Sequence, residues 1–138
     1  MSDLYVMDAC ALLAFFNDEI GADLVDNILT QANGGTAKIT MHNLNLLEVY
    51  YDTYRKYGEE RAEREFETIL QLPITINTEI TKTLFKKAGR LKATYKISLA
   101  DSIAVAQAAI LGAKLLTSDH HELDVVEEKE PIEIVWIR

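Results

Sequence analysis

Leu4-Tyr5-Val6-Met7 is the first of several short apolar runs, each the length of one buried strand. Lys38-Ile39-Thr40-Met41, Lys114-Leu115-Leu116-Thr117 and the stretch from Ile132 to Ile137 are the others, with Ile74-Thr75-Ile76 a weaker fifth. Between them the apolar spacing changes to three and four, which predicts helices over Gly21 to Asn33, Asn43 to Tyr57, Glu59 to Leu72, Thr78 to Tyr95 and Ser98 to Leu111. Ala9 to Phe16 is a nearly all-apolar helical segment, and the short stretch from His120 to Glu128 is compatible with a helix. Gly34-Gly35, Gly58, Pro73 and Gly112 stand where helices should stop. Strands separated by helices need crossover connections, so the pattern predicts a parallel sheet in a three-layer α/β domain. In such sheets ligands bind beyond the carboxyl ends of the strands, where the strand order reverses.

No repeat, low-complexity tract or linker interrupts the 138 residues, which are read as one domain spanning 1–138. With 49% hydrophobic residues, six glycines and two prolines, the composition excludes collagen-like and disordered classes. No apolar run approaches the roughly 20 residues of a membrane span, and Met1-Ser2-Asp3 lacks the basic start of a secretory signal, so a cytoplasmic protein without a membrane partner is expected. The lone Cys10 rules out an internal disulfide and a thiolate zinc cluster. Any metal site must therefore use oxygen ligands.

Four acids stand where ligands of an α/β sheet are expected. Asp8 closes the first strand and Asp119 follows the strand ending in Thr117. Glu48 shares an i, i+3, i+4, i+7 stripe with Leu44, Leu47 and Tyr51, one turn after Asn45, which has the reach to orient it. Asp101 lies in the first turn of an alanine-rich helix. Each has an ordinary reading too: Asp8 and Asp119 as N-caps, Asp101 as half of a Ser98-x-x-Asp101 capping box, Glu48 as an edge residue or the partner of a base. Glu122 and Asp124 follow closely enough to replace Asp119 or add a ligand. Carboxylates that converge in one pocket need a divalent cation, and oxygen-only ligation suits Mg²⁺ or Mn²⁺. The chemistry of such a site is attack of water on a phosphodiester.

Asp8 after the first strand, Asn45-x-x-Glu48, Leu99-Ala100-Asp101-Ser102-Ile103-Ala104 and Thr117-Ser118-Asp119 together resemble the spaced acids of PIN domains, and length and order resemble the VapC-type toxin nucleases. The resemblance implies a Rossmann-like sheet, a metal-dependent endoribonuclease with Mg²⁺ or Mn²⁺, a homodimer and an inhibitory antitoxin. It also implies that Asp8, Glu48, Asp101 and Asp119 are the metal ligands, with Thr117 supporting the last. The chain departs from that pattern in Ala9-Cys10, where many members carry Ser or Thr after the first acid, and in His120-His121-Glu122-Leu123, which replaces the usual aromatic.

Charge adds a second feature. The formal net charge of −8 excludes a protein that holds nucleic acid by positive charge overall. Yet Thr81 to Ala100 holds six bases and no acid, whereas Met1 to Ala37 holds six acids and no base. Lys82, Lys86, Lys87 and Arg90 are thus candidates for RNA phosphate contacts, against the plainer reading of a solvated helix face. Tyr50, Tyr54 and Tyr57 share a helix face that, with Phe66, would make a groove for a partner helix; simple packing of the two helices is the alternative. Cys10 reads as a small apolar residue, His42 as the entry to the Asn43 helix, and His120-His121 as exposed. Two other functions compete. A receiver-like phosphoacceptor needs an acid pair after the first strand and an Asp after the third, where this chain has a single Asp8 and Asn77. A catalytically silent PIN-fold binding module does not explain a full set of four acids.

Overall fold

A computed structural model describes residues 2–138. β1 (Asp3–Met7) leads through α1 (Ala9–Phe16) and α2 (Ala22–Asn33) to β2 (Ala37–His42), then through α3 (Asn43–Tyr57) and α4 (Glu59–Gln71) to β3 (Ile74–Asn77). The chain crosses by α5 (Lys82–Thr94) and α6 (Leu99–Leu111) to β4 (Lys114–Thr117), and by α7 (His120–Lys129) to β5 (Ile134–Trp136). The strand order is β3-β2-β1-β4-β5 and every neighbouring pair is parallel. The parallel sheet and three layers expected from the apolar pattern are present.

β1 is central and covered on both faces, so its apolar run is continuous rather than alternating. Met7 joins a core with Leu12, Val25, Met41, Leu46, Val49 and Ile69 beneath α1–α4, whereas Val6 joins one with Leu84, Leu91, Ile103, Leu115 and Val126 beneath α5–α7. α6 is buried at every position from Asp101 to Ala108, because its alanines allow close approach from all sides.

Two predicted elements are shorter than expected. The helix predicted from Thr78 begins at Lys82, because Asn77 Oδ1 accepts the Glu79 N–H in a tight turn and the Thr81 hydroxyl then caps α5 from the Leu84 N–H. The strand predicted from Ile132 to Ile137 contracts to Ile134–Trp136. Among the described residues no helix is long and apolar enough to cross a membrane. The order reverses at β1, which sends its first crossover to β2 on one side while β4 docks on the other. The carboxyl ends of β1 and β4 therefore mark the crevice.

Candidate active site

Asp8 leaves β1 and caps α1: Oδ1 accepts the Ala11 N–H at 3.0 Å, and Oδ2 accepts the Thr117 hydroxyl. Thr117 Oγ1 in turn accepts the Asp119 N–H at 3.0 Å, so one buried hydroxyl fixes both strand-end acids. Asp119 caps α7 by accepting the Glu122 N–H at 3.2 Å, which sets Glu122 in the first helical turn beside it. On the opposite side, the Ser98 hydroxyl caps α6 by accepting the Asp101 N–H at 3.1 Å. Asp101 is only 5% exposed, and its Oδ2 has no hydrogen-bond partner. Carboxylate oxygens of Asp101, Asp119 and Glu122 all lie within 4.8 Å of one another.

Electrostatics follow from this crowding. Burial pushes the Asp8 carboxyl up to about 7; the Thr117 and Ala11 hydrogen bonds oppose it, and the charges of Asp119 and Glu48 add to it. Asp101 is driven far above the carboxylate range, first by burial and then by Glu122, Asp8 and Asp119. Glu48, half-buried on α3, is raised by burial and then by Glu122, Asp119 and Asp52. Burial raises the Cys10 thiol, and the charges of Asp8, Asp119, Asp101 and Glu48 raise it further, which keeps it protonated and unreactive.

Several sequence expectations change in detail. The stripe around Glu48 is not the buried face: Leu47 and Tyr51 are exposed, and α3 packs instead through Asn45, Leu46, Val49 and Thr53. Asn45 does not orient Glu48. It is fully buried and donates from Nδ2 to the Ala100 carbonyl at 3.1 Å, stapling α3 to the start of α6 beside Asp101. Asp124 Oδ1 lies 2.7 Å from His120 Nδ1, and the residue is not part of the Asp101, Asp119 and Glu122 cluster. Along α5, Lys82 and Lys86 are exposed and Lys87 is half-buried. Arg90 is not uncompensated, since it grips Glu130 with bonds of 2.6 and 3.3 Å. Tyr50 and Phe66 pack edge to face at 6.1 Å and line a groove of about 440 Å³ with Leu44, Leu47 and Glu63. Tyr54 lies against Tyr50, and Tyr57 lies under the Arg61 guanidinium at 3.9 Å. His120 stacks on Trp136, a contact between distant elements that no local spacing signals.

Known proteins give an independent view of this geometry. A chain of VapBC-1 from nontypeable Haemophilus influenzae superposes with a TM-score of 0.71 at 16% identity, covering 97% of this chain and 98% of that one. A chain of DNA-bound VapBC from Salmonella typhimurium gives 0.72 at 14% identity over 100% of both. VapC20 of Mycobacterium tuberculosis, described as a Sarcin-Ricin loop cleaving toxin, gives 0.61 at 14% identity over 82% of this chain and 87% of that one. No curated protein sequence matches. These likenesses establish a shared fold, and the PIN domain family model matches residues 5–129, a span that takes in Asp8, Glu48, Asp101 and Asp119. By that match, the chain belongs to the PIN domain family.

Proposed function

We propose that the protein is a Mg²⁺- or Mn²⁺-dependent endoribonuclease that acts in the cytoplasm as the toxin of a type II toxin–antitoxin pair. The observation that carries this reading is the partnerless, buried Asp101 Oδ2 amid carboxylates that repel one another. A buried carboxylate surrounded by acids is costly without a cation, and an all-oxygen donor set fits a hard divalent ion. Asp8, Glu48, Asp101 and Asp119 would hold the metal, with Glu122 joining them. When bound, the metal lowers the pKa of the attacking water and stabilises charge on the scissile phosphate. The protein's own residues do the positioning. Thr117 holds Asp8 and Asp119 in register across β1 and β4, and Asn45 holds α3 against α6.

Partners follow the same reading. The VapBC complexes and the Sarcin-Ricin loop cleaving toxin that share this fold support an antitoxin and an RNA substrate. A homodimer is part of the proposal. The groove beside Tyr50 and Phe66 would receive the antitoxin helix, with Tyr54 and Tyr57 on its flank. Tyr50→Ala with Phe66→Ala should abolish co-purification of the antitoxin while the toxin stays folded. Lys82, Lys86 and Lys87 would supply phosphate contacts, with Arg90 committed to Glu130. The deciding experiment incubates purified protein with total tRNA and structured RNAs in Mg²⁺, Mn²⁺ or EDTA, beside Asp101→Asn. Cleavage that needs the metal and Asp101 is expected. Equal cleavage in EDTA would refute the metal dependence, and no cleavage under any condition would favour the silent binding module.

A further inference from the structure

His120 opens α7 directly after Asp119, and its ring lies flat on Trp136 with centroids 3.7 Å apart and planes 13° from parallel. Every polar atom of the pair is engaged. His120 Nδ1 lies 2.7 Å from Asp124 Oδ1, His120 Nε2 lies 2.9 Å from the Arg138 carbonyl, and Trp136 Nε1–H donates to Glu127 at 3.0 Å. The rings are therefore fixed in orientation and have only their faces left to offer. The His120 side chain is 47% exposed. Trp136 is also the cross-strand partner of Thr117, the residue that ties Asp8 to Asp119. Neighbouring strands lie about 4.8 Å apart, so the stack sits one strand beyond the acids along the carboxyl edge of the sheet.

We propose that the His120–Trp136 stack is a platform for a base of single-stranded RNA next to the phosphate held at the acids, an inference that rests on the nuclease reading. Nucleobases stack on aromatic faces without regard to identity, because each has a π-face. Ring edges already satisfied by protein groups cannot read a base by hydrogen bonds. Carboxylates of Asp124 and Glu127 at those edges repel phosphate, which leaves the face as the surface of contact. The platform thus selects for the presence of a base, while its sequence preference is weak.

Trp136 is the one tryptophan of the chain, so its emission reports on this site alone. In the Asp101→Asn variant, which prevents turnover, a single-stranded oligoadenylate and total tRNA should each quench Trp136 saturably. An abasic oligomer of equal charge should not. Adding His120→Ala should weaken oligoadenylate binding about 5-fold or more and leave the abasic oligomer unaffected, and His120→Phe should restore it. Thermal melts of each variant establish that the fold persists. No quenching by either RNA, equal quenching by the abasic oligomer, or unchanged affinity in a folded His120→Ala protein would overturn the platform and leave the stack as a brace between α7 and β5. The two readings fail separately: wild-type protein that cleaves RNA with an unresponsive Trp136 sinks the platform alone, while quenching without metal-dependent cleavage sinks the nuclease and keeps an RNA surface.

Discussion

Two carboxylates with little exposed surface, Asp101 and Glu130, are pushed in opposite directions. Glu130 terminates α7, where Arg90 grips it and the Tyr95 hydroxyl donates to it; the Arg90 hydrogen bond is the largest of the effects that lower its pKa. Asp101 begins α6 among Glu122, Asp8 and Asp119, and it is raised, with burial the largest cause. The difference is one cation. At Glu130 the chain supplies its own, so that site is complete and structural. At Asp101 it supplies only more acids, which leaves that carboxylate without a counter-charge among the described residues.

Neutralising one member of each site tests this contrast most severely. Asp8→Asn, Glu48→Gln and Asp101→Asn should each cut RNA cleavage by more than the roughly 10–100-fold typical of losing an outer-shell partner of a metal. The same changes should raise the melting midpoint of the metal-free protein, and Asn retains the cap at position 8. Asp119→Asn should cost less activity, because Glu122 lies beside it. A fall in the midpoint of the Asp101→Asn protein would instead mark the Asp101 carboxylate as stabilising the start of α6. Glu130→Gln should do the reverse of the acid-site variants, lowering the midpoint by a few degrees and leaving cleavage unchanged.

Titration separates the two sites next. Because Asp8 and Asp101 have folded pKa values above their unfolded ones, the stability they confer is full at low pH and is lost as pH rises through the folded values, near 7 for Asp8. The metal-free protein should therefore melt higher at about pH 5 than at about pH 8, and saturating Mn²⁺ should remove most of that difference. Glu130 has the opposite sign: its contribution is present above the ordinary carboxylate range and is lost as pH falls through its lowered value. Metal-free midpoints that rise with pH between those limits would break the comparison.

The smallest expected effect concerns the remaining bases of α5. Reversing Lys82, Lys86 and Lys87 to Glu should weaken RNA binding and flatten its salt dependence by up to about 0.7 in logarithmic slope for each phosphate no longer neutralised. Arg90→Glu should change the melt and leave that slope alone, since Arg90 is engaged with Glu130. Filter-binding titrations across salt concentrations distinguish the two.

The layers, the parallel strands and the position of the crevice were legible in the apolar pattern, because period and length determine element type and crossovers determine strand direction. The acids were legible as a set, yet capping and ligation looked like competing explanations for them. In the structure the caps are what bring them to the crevice: Asp8 and Asp119 cap helices whose starts lie at the carboxyl ends of β1 and β4. Contacts between distant elements were not legible. Arg90 finds Glu130 forty residues away, Asn45 finds the Ala100 carbonyl, and Trp136 meets His120 only because β5 pairs with β4. The Glu48 stripe misled for a related reason, since helix periodicity gives faces without saying which of them the neighbouring helices cover.

The Thr117 hydroxyl donates to a carboxylate 109 positions earlier in the chain, and that separation imposes a timetable on synthesis. β1, β2 and β3 can pair soon after they leave the ribosome, but Asp8 has no Thr117 or Asp119 to meet until β4 has been translated and has docked against β1. A nascent chain thus carries most of its sheet while holding only a fraction of its acid pocket. Any activity seated there switches on late, once β4 has docked, and an inhibitor that binds α3 and α4 would meet its surface before the pocket exists.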